Sequence, residues 1–317
     1  MDKRNRTLDL VKGIAIILMV IGHCYHSENA VLRLIYAFHM PFFFIVSGIL
    51  YADKWQNEIK FSLYRTGLKL LIPYYVFDAL FCLFVIILGR PEDLPSALWN
   101  ALTLQVFPMI GATVTWFLPC QFMVLGIFST GAKHLKKSIW IGICLCSYII
   151  AITTPTYTLL PVLRSLVGVG FFAVGFYGKS LFDRRYCLPL LCCVGVVYVV
   201  LVKLNGMVSL VSLRFSNPWL YTVNSLLGSW LLYQVGLRIP RKRWLAWIEY
   251  LGKNSVIVLC THMFFVETIR LLDYKLFNNM LYKFGILEGF VFGAIVVGLM
   301  FPVIDISNRY LGKLFGK

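Results

Sequence analysis

Ten apolar runs follow one another along the chain, each close to the roughly 20 residues needed to cross about 30 Å of hydrocarbon. They fall at about 9–27, 34–52, 70–88, 113–131, 138–153, 161–179, 187–204, 217–237, 250–268 and 286–305, the fifth being short. A further apolar piece at 97–107 suits an interfacial or re-entrant helix. Composition agrees with this pattern. Hydrophobic residues make up 59% of the 317 and charged residues 14%, with a mean hydropathy of +0.78. Soluble domains are about 45–50% apolar and about 25% charged. There is too little polar surface here to cover a globule, which excludes a soluble enzyme, a secreted domain and a disordered chain. The expected fold is all-α, a polytopic integral membrane bundle of about ten transmembrane helices. With no repeat, low-complexity linker or soluble appendage, residues 1–317 read as one domain.

The net charge of +16 follows a topological pattern. Basic clusters at Lys3, Arg4, Arg6 and Lys12, at Lys54, Lys60, Arg65 and Lys69, at Lys133, Lys136 and Lys137, at Lys179, Arg184 and Arg185, at 238–253, and at Arg309, Lys313 and Lys317 occupy alternate connections. Basic residues concentrate on the cytoplasmic side of membrane proteins, so both the N- and C-termini are expected in the cytoplasm. This footprint also removes nucleic acid as the expected partner. The run at 10–21 follows a basic stretch but lacks a small-residue cleavage site after it, so it reads as a retained span.

The nine cysteines lie almost entirely inside apolar runs, where they act as small hydrophobes. No CxxC spacing appears and no metal is expected.

Ionisable groups inside spans are costly, and each is a functional candidate. The first span holds Asp9, Lys12 and His23. Lys12 and His23 are eleven residues apart, which places them on one helical face within about 20° and about 16 Å apart along the axis. Asp9 is positioned to pair with Lys12. Lys12 also suits simple snorkelling to the interface. In the second span, His39 lies at nearly the depth of His23, and Pro41 is expected to kink the helix and free a carbonyl. A purely structural hydrogen bond is the alternative for His39.

Arg65 and Lys69, four residues apart at the approach to the third span, suit either membrane anchoring or phosphate binding. Trp116 opens the fourth span as an aromatic-belt or substrate residue. Asn254 and Ser255 suit a helix cap, leading to His262 near mid-membrane. Asp78, Arg164, Glu267 and Asp305 also lie near or within spans, without an assignable role.

Taken together, these residues carry a resemblance. The opening from Asp9 through Lys12-Gly13 to Gly22-His23 is similar to that of the acyltransferase-3 family, whose members have a basic residue eleven positions before an essential histidine. Phe38-His39-Met40-Pro41-Phe42-Phe43-Phe44 with Ser47-Gly48 resembles the family's second-span motif. Arg65 and Lys69 with Pro73-Tyr74, Trp116-Phe117-Leu118, Phe171-Phe172 with Gly175, and Gly252-Lys253-Asn254-Ser255 with His262 follow in the family's order. Two departures stand out: Lys12 replaces the commoner Arg, and Arg65 with Lys69 replaces an Arg-x-x-Arg pattern.

The resemblance implies a bacterial inner (cytoplasmic) membrane O-acyltransferase with ten helices around a cavity open to both sides. Acetyl-CoA is the implied acyl donor and an envelope or exported carbohydrate the acceptor. His23 is then the expected general base, with Lys12 and His39 beside it in the catalytic set. Arg65, Lys69 and Lys12 are expected to bind the phosphates of CoA, and Trp116, Asn254 and His262 the acceptor. The rival expectation is a transporter or flippase of a lipid-linked sugar or polysaccharide, which needs no acyl-CoA. The acceptor sugar, the acyl chain and the oligomeric state remain open.

Overall fold

A computed structural model of the chain describes residues 6–56, 62–87, 92, 94–104, 114–154, 159–240, 242–312 and 315. Lys3, Arg4, Lys60, Lys313 and Lys317, and the part of the 97–107 run beyond Leu104, lie outside these residues. Among the described residues ten helices have 17–25 residues. They are α1 (Arg6–Cys24), α3 (His39–Gln56), α4 (Leu63–Ile87), α6 (Phe117–His134), α7 (Lys137–Thr153), α8 (Leu160–Tyr177), α10 (Leu188–Asn205), α11 (Pro218–Arg238), α13 (Ser255–Phe277) and α14 (Glu288–Tyr310). Four short helices complete the series: α2 (Ala30–Tyr36), α5 (Leu94–Thr103), α9 (Lys179–Asp183) and α12 (Ala246–Lys253). No strand occurs among the described residues, and one antiparallel bridge, Ser209 to Arg214, closes the loop between α10 and α11.

Seven helical segments are long and apolar enough to cross a membrane, and α7 is a shorter apolar helix. The two remaining long helices are less apolar for a visible reason. α6 buries Gln121 inside the bundle, and α11 buries Asn224, Ser225, Ser229 and Gln234. The protein is thus an all-α polytopic membrane bundle.

Helix packing in a bilayer gains little from the hydrophobic effect and depends on close approach of small residues. Two glycine seams do this here. A Cβ at Gly48 of α3 would stand 2.1 Å from the Phe172 carbonyl oxygen, and one at Gly175 of α8 would stand 2.0 Å from that of Ile45. Likewise, a Cβ at Gly13 of α1 would meet the Ile248 oxygen at 2.0 Å, and one at Gly252 of α12 the Asp9 oxygen at 1.8 Å. α12 therefore lies directly on the first half of α1. Gly289 and Gly293, early in α14, rest on Tyr25, just past the end of α1, and Ile21, in its last turn. α1 and α14 are accordingly antiparallel, and Arg6 and Tyr310 share one end of the bundle. We call this the proximal end, and the end where α1 stops the distal end.

Two expected spans are broken. The second is α2 and α3, separated at Ala37-Phe38, so the bend precedes Pro41 instead of falling on it. Pro41 sits in the first turn of α3, where its missing N–H costs nothing. The Ala37 carbonyl, left without a helical donor by Pro41, accepts from Ser225 Oγ at 2.8 Å. The ninth is α12 and α13, separated at Asn254. Asn254 makes no side-chain cap to α13. Its Nδ2 donates back to the Tyr250 carbonyl at 2.8 Å, and its Oδ1 accepts from Asn308 Nδ2 at 3.2 Å, which ties the junction to α14.

Candidate active site

α1 delivers the first functional side chains at two levels. At its proximal end Asp9 Oδ1 is 3.1 Å from Lys12 Nζ, the i,i+3 pair that the spacing predicts. Eleven residues further, His23 opens onto a cavity of about 270 Å³. Met19, Tyr36, His39, Met40, Val114, Trp116 and Leu259 line it with His23, and residues 208–211 of the α10–α11 loop complete its wall. Ligand pockets for drug-sized molecules span about 300–1,000 Å³. This volume therefore suits the reacting ends of two substrates, not their whole bodies.

Three of the chain's five histidines meet here. The His23 and His262 ring centres are 5.4 Å apart, those of Tyr36 and His39 are 5.0 Å apart, and those of His23 and Tyr36 are 6.1 Å apart. Backbone carbonyls set two of the tautomers. His39 Nδ1 is 3.0 Å from the Ile35 oxygen, and His262 Nδ1 is 2.8 Å from that of Val258 and 3.1 Å from that of Leu259. A carbonyl only accepts, so in both rings Nδ1 carries the proton and Nε2 keeps a lone pair. His262 Nε2 is buried without a hydrogen-bond partner. His23 differs: its Nδ1 is 3.4 Å from Tyr36 Oη, a group that both donates and accepts, so either tautomer fits.

Arg270 of α13 anchors the base of this site. Its Nη2 donates to the carbonyls of His23 at 2.7 Å and Tyr25 at 3.0 Å, while Nη1 meets Glu267 at 3.2 Å. A cation on the last carbonyls of α1 satisfies acceptors that the helix leaves open and opposes the negative end of its dipole. On the opposite wall, Thr115 Oγ1 donates to Asp78 at 2.6 Å and fixes the turn that presents Trp116. The Arg164 guanidinium stands 5.5 Å from the centre of the Trp116 ring, and its Nε donates to the Val211 carbonyl at 2.6 Å.

The candidates from sequence thus separate into groups. His23, His39 and Trp116 line one cavity, and His262 lies against His23. Lys12 stays with Asp9 at the proximal end. Arg65 and Lys69 are exposed on α4 and line no part of the cavity. Gly67 packs on Phe122 and Gly126 on Leu63, so this basic pair stands along the first half of α6, on the proximal side of Trp116. Asn254 belongs to the α12–α13 junction. Sequence reasoning missed Tyr36, although it lies three residues before His39 and so shares its face. It also left Arg164 without a role and did not single out Arg270. Among the described residues no group of three or more His, Cys, Asp or Glu side chains is arranged to hold a metal ion.

A comparison with family models matches the acyltransferase domain of the acyltransferase-3 family over residues 5–307, nearly the whole chain. No curated protein and no solved structure matches it. By this match over nearly its whole length, and in keeping with its polytopic helical bundle, the chain belongs to the acyltransferase-3 family and is a multi-pass membrane acyltransferase.

Proposed function

We propose that the protein transfers an acyl group, acetyl by default, from acyl-CoA to a hydroxyl of an envelope or exported carbohydrate in a bacterial inner membrane. The observation that carries this reading is the convergence of His23, Tyr36 and His39, from α1, α2 and α3, on one cavity within an acyltransferase domain, with His262 of α13 packed against His23. The donor enters from the proximal end, taken as cytoplasmic, with its phosphates near Lys12, Arg65 and Lys69. Its thioester reaches the cavity, and the acceptor arrives from the distal end.

With Nδ1–H directed at Tyr36 Oη, His23 holds its lone pair on Nε2. That nitrogen removes the proton of the acceptor hydroxyl as the oxygen attacks the thioester carbonyl. The tetrahedral oxyanion collapses, the C–S bond breaks, and the imidazolium returns its proton to the departing CoA thiolate. The products are the ester and free CoA, with His23 neutral again. A base so placed contributes typically ~10²–10⁴-fold. The Nε2 lone pair of His39 accepts a hydrogen bond from a further hydroxyl of the acceptor, His262 backs the His23 ring, and Trp116 offers a face to the sugar ring. A direct transfer is favoured over an acyl-enzyme because Cys24, Cys120 and Cys260 are buried thiols, and among the described residues the side-chain partner seen on them is the Ser165 hydroxyl at Cys120, which is no base. Asn254, engaged at the helix junction, has no part in this scheme.

Purified protein in lipid nanodiscs, given radiolabelled acetyl-CoA and a cell-envelope glycan extract, tests the proposal. Release of free CoA and labelling of the glycan are both expected in the wild type, and both should vanish in His23→Ala. A folded wild type that turns over no acyl-CoA with any acceptor would overturn the reading in favour of a carrier for lipid-linked sugars.

A further inference from the structure

Arg164 heads the fully buried side chains by size, only 1% exposed in the second turn of α8. A guanidinium inside a membrane bundle is costly unless an anion balances it. Here the balance is incomplete. Nε is satisfied by the Val211 carbonyl and the cation faces the Trp116 ring, but Nη2 is buried without a hydrogen-bond partner. Among the described residues no carboxylate pairs with it. Other cations of the bundle show what a closed pair looks like: Arg6 has Glu249, Lys12 has Asp9, and Lys179 has both Asp53 and Asp183. The two groups that do hold Arg164 belong to Trp116 and Val211, and both residues line the cavity with His23 and His39. An uncompensated positive charge therefore stands directly behind the part of the cavity wall that Trp116 and Val211 form, Arg164 itself not being part of the lining.

We propose that Arg164 receives an anionic oxygen of the acceptor, so that the substrate is a carbohydrate carrying a carboxylate or a phosphate near the hydroxyl that is acylated. The inference rests on the acyl-transfer reading for the identity of the two substrates. The donor does not supply this anion, because its phosphates belong with the basic groups toward the proximal end, Lys12 being about 16 Å from His23 along α1. The oxyanion of the reaction does not supply it either, since it exists only during turnover. An arginine with Nε fixed and a buried, unpartnered Nη2 has a directional, charge-assisted bond to give to a carboxylate or phosphate oxygen that reaches it past Trp116 and Val211.

Three methyl glycosides that differ only at one carbon test this: methyl glucoside, methyl glucuronide and methyl glucoside 6-phosphate. Calorimetric binding to the wild-type protein in nanodiscs, without acyl-CoA, is expected to be at least tenfold tighter for one charged glycoside than for the neutral one. Which charged probe wins separates a sugar acid from a phosphate source. With acetyl-CoA present, the same preference should appear in KM rather than kcat. Arg164→Gln should equalise the three glycosides, and Arg164→Lys should keep part of the difference. Equal wild-type binding of charged and neutral glycosides, at any level including none, overturns the proposal whether or not the variants fold. A preference that survives intact in Arg164→Gln overturns it as well. Charge-selective binding without turnover would instead keep Arg164 as an anion receptor and sink the acyl-transfer reading.

Discussion

The two ends of this bundle treat buried polar groups differently. At the proximal end charges are matched, as they are on the distal rim, where His26 pairs with Glu288 and Arg33 with Glu28. Arg6 donates to both oxygens of Glu249, at 3.0 and 3.2 Å, and Lys12 sits 3.1 Å from Asp9. Lys179 lies between Asp53 at 3.1 Å and Asp183 at 2.6 Å. Around the distal cavity, His262 Nε2, Arg164 Nη2 and Arg270 Nε are all buried without partners. Trp140 Nε1 at the proximal end is unpartnered too, as are Gln121 Oε1, Tyr221 Oη, both amide atoms of Asn224 and Ser229 Oγ, all neutral and none of them lining the cavity. Native proteins pair nearly all buried polar atoms, because leaving one unmade costs more than a made bond gains. Charged groups that serve packing are closed in pairs; basic nitrogens left open against residues that line the cavity point to a ligand. The proximal end is a scaffold of closed pairs on which the proposed donor docks, and the distal cavity is where the acyl transfer itself is to be sought.

That contrast breaks most sharply at His23. His23→Ala should lower acylation by ~10²–10⁴-fold, the range typical of a lost general base, while its melting temperature stays near that of wild type. Assays of CoA release beside a thermal-shift curve read both quantities. A comparable loss of stability would make His23 a packing residue and erase the distinction between the two ends.

The scaffold has its own strongest test at Gly252. A methyl group there would point at the Asp9 carbonyl oxygen, 1.8 Å away, and backbone does not yield as a side-chain tip does. Gly252→Ala should destabilise the protein by about 1–3 kcal/mol, the usual range for overpacking, seen as a lower melting temperature or loss of the monodisperse peak on size exclusion. Gly142, with nothing within 4 Å of its added Cβ, is the control, and Gly142→Ala should behave as wild type.

Tyr36→Phe asks for less. Removing the hydroxyl 3.4 Å from His23 Nδ1 frees the ring orientation without removing the base. A loss of about tenfold in kcat is expected, equivalent to about 1.4 kcal/mol, with KM for acyl-CoA unchanged.

The smallest effect belongs to Lys179, just past the end of α8. Burial disfavours its charge, but hydrogen bonds with Asp183 and Asp53 outweigh that and raise its pKa above the ordinary lysine value. A raised folded pKa means that its contribution is complete below the unfolded value of about 10.4 and is lost only as pH climbs through the higher folded one. Thermal stability should therefore show no Lys179-linked change between about pH 6 and 9, and Asp53→Asn should cost under about 1 kcal/mol because the pair is partly exposed. A melting temperature that falls steadily across that pH range in the wild type, but not in Lys179→Met, would contradict this.

Several of these features were legible in the chain before any helix was placed. The apolar runs are read by length alone, since each must span the same slab of hydrocarbon whatever its neighbours. The Asp9–Lys12 pair follows from spacing on a single helix, and the near-equal depth of His23 and His39 follows from rise per residue on two consecutive ones. Local geometry also implied that Pro41 would free a carbonyl. It did not show that the chain would break two residues before His39, because that break depends on Ser225 of α11 arriving to take the Ala37 oxygen.

The rest needed neighbours remote in sequence. Asn254 reads as a helix cap from its flanks, yet its side chain turns to Tyr250 and is held by Asn308, 54 residues away. His262 met His23, and Arg164 met Trp116 and Val211, only because α13 and α8 fold against the opening helices. What the amino-acid sequence determined by itself was the class of structure and the first stripe of chemistry, since periodicity and hydropathy act within one helix. Only the tertiary structure decided which polar atoms are closed and which stay open, because a hydrogen-bond partner supplied by a distant helix leaves no trace in local spacing.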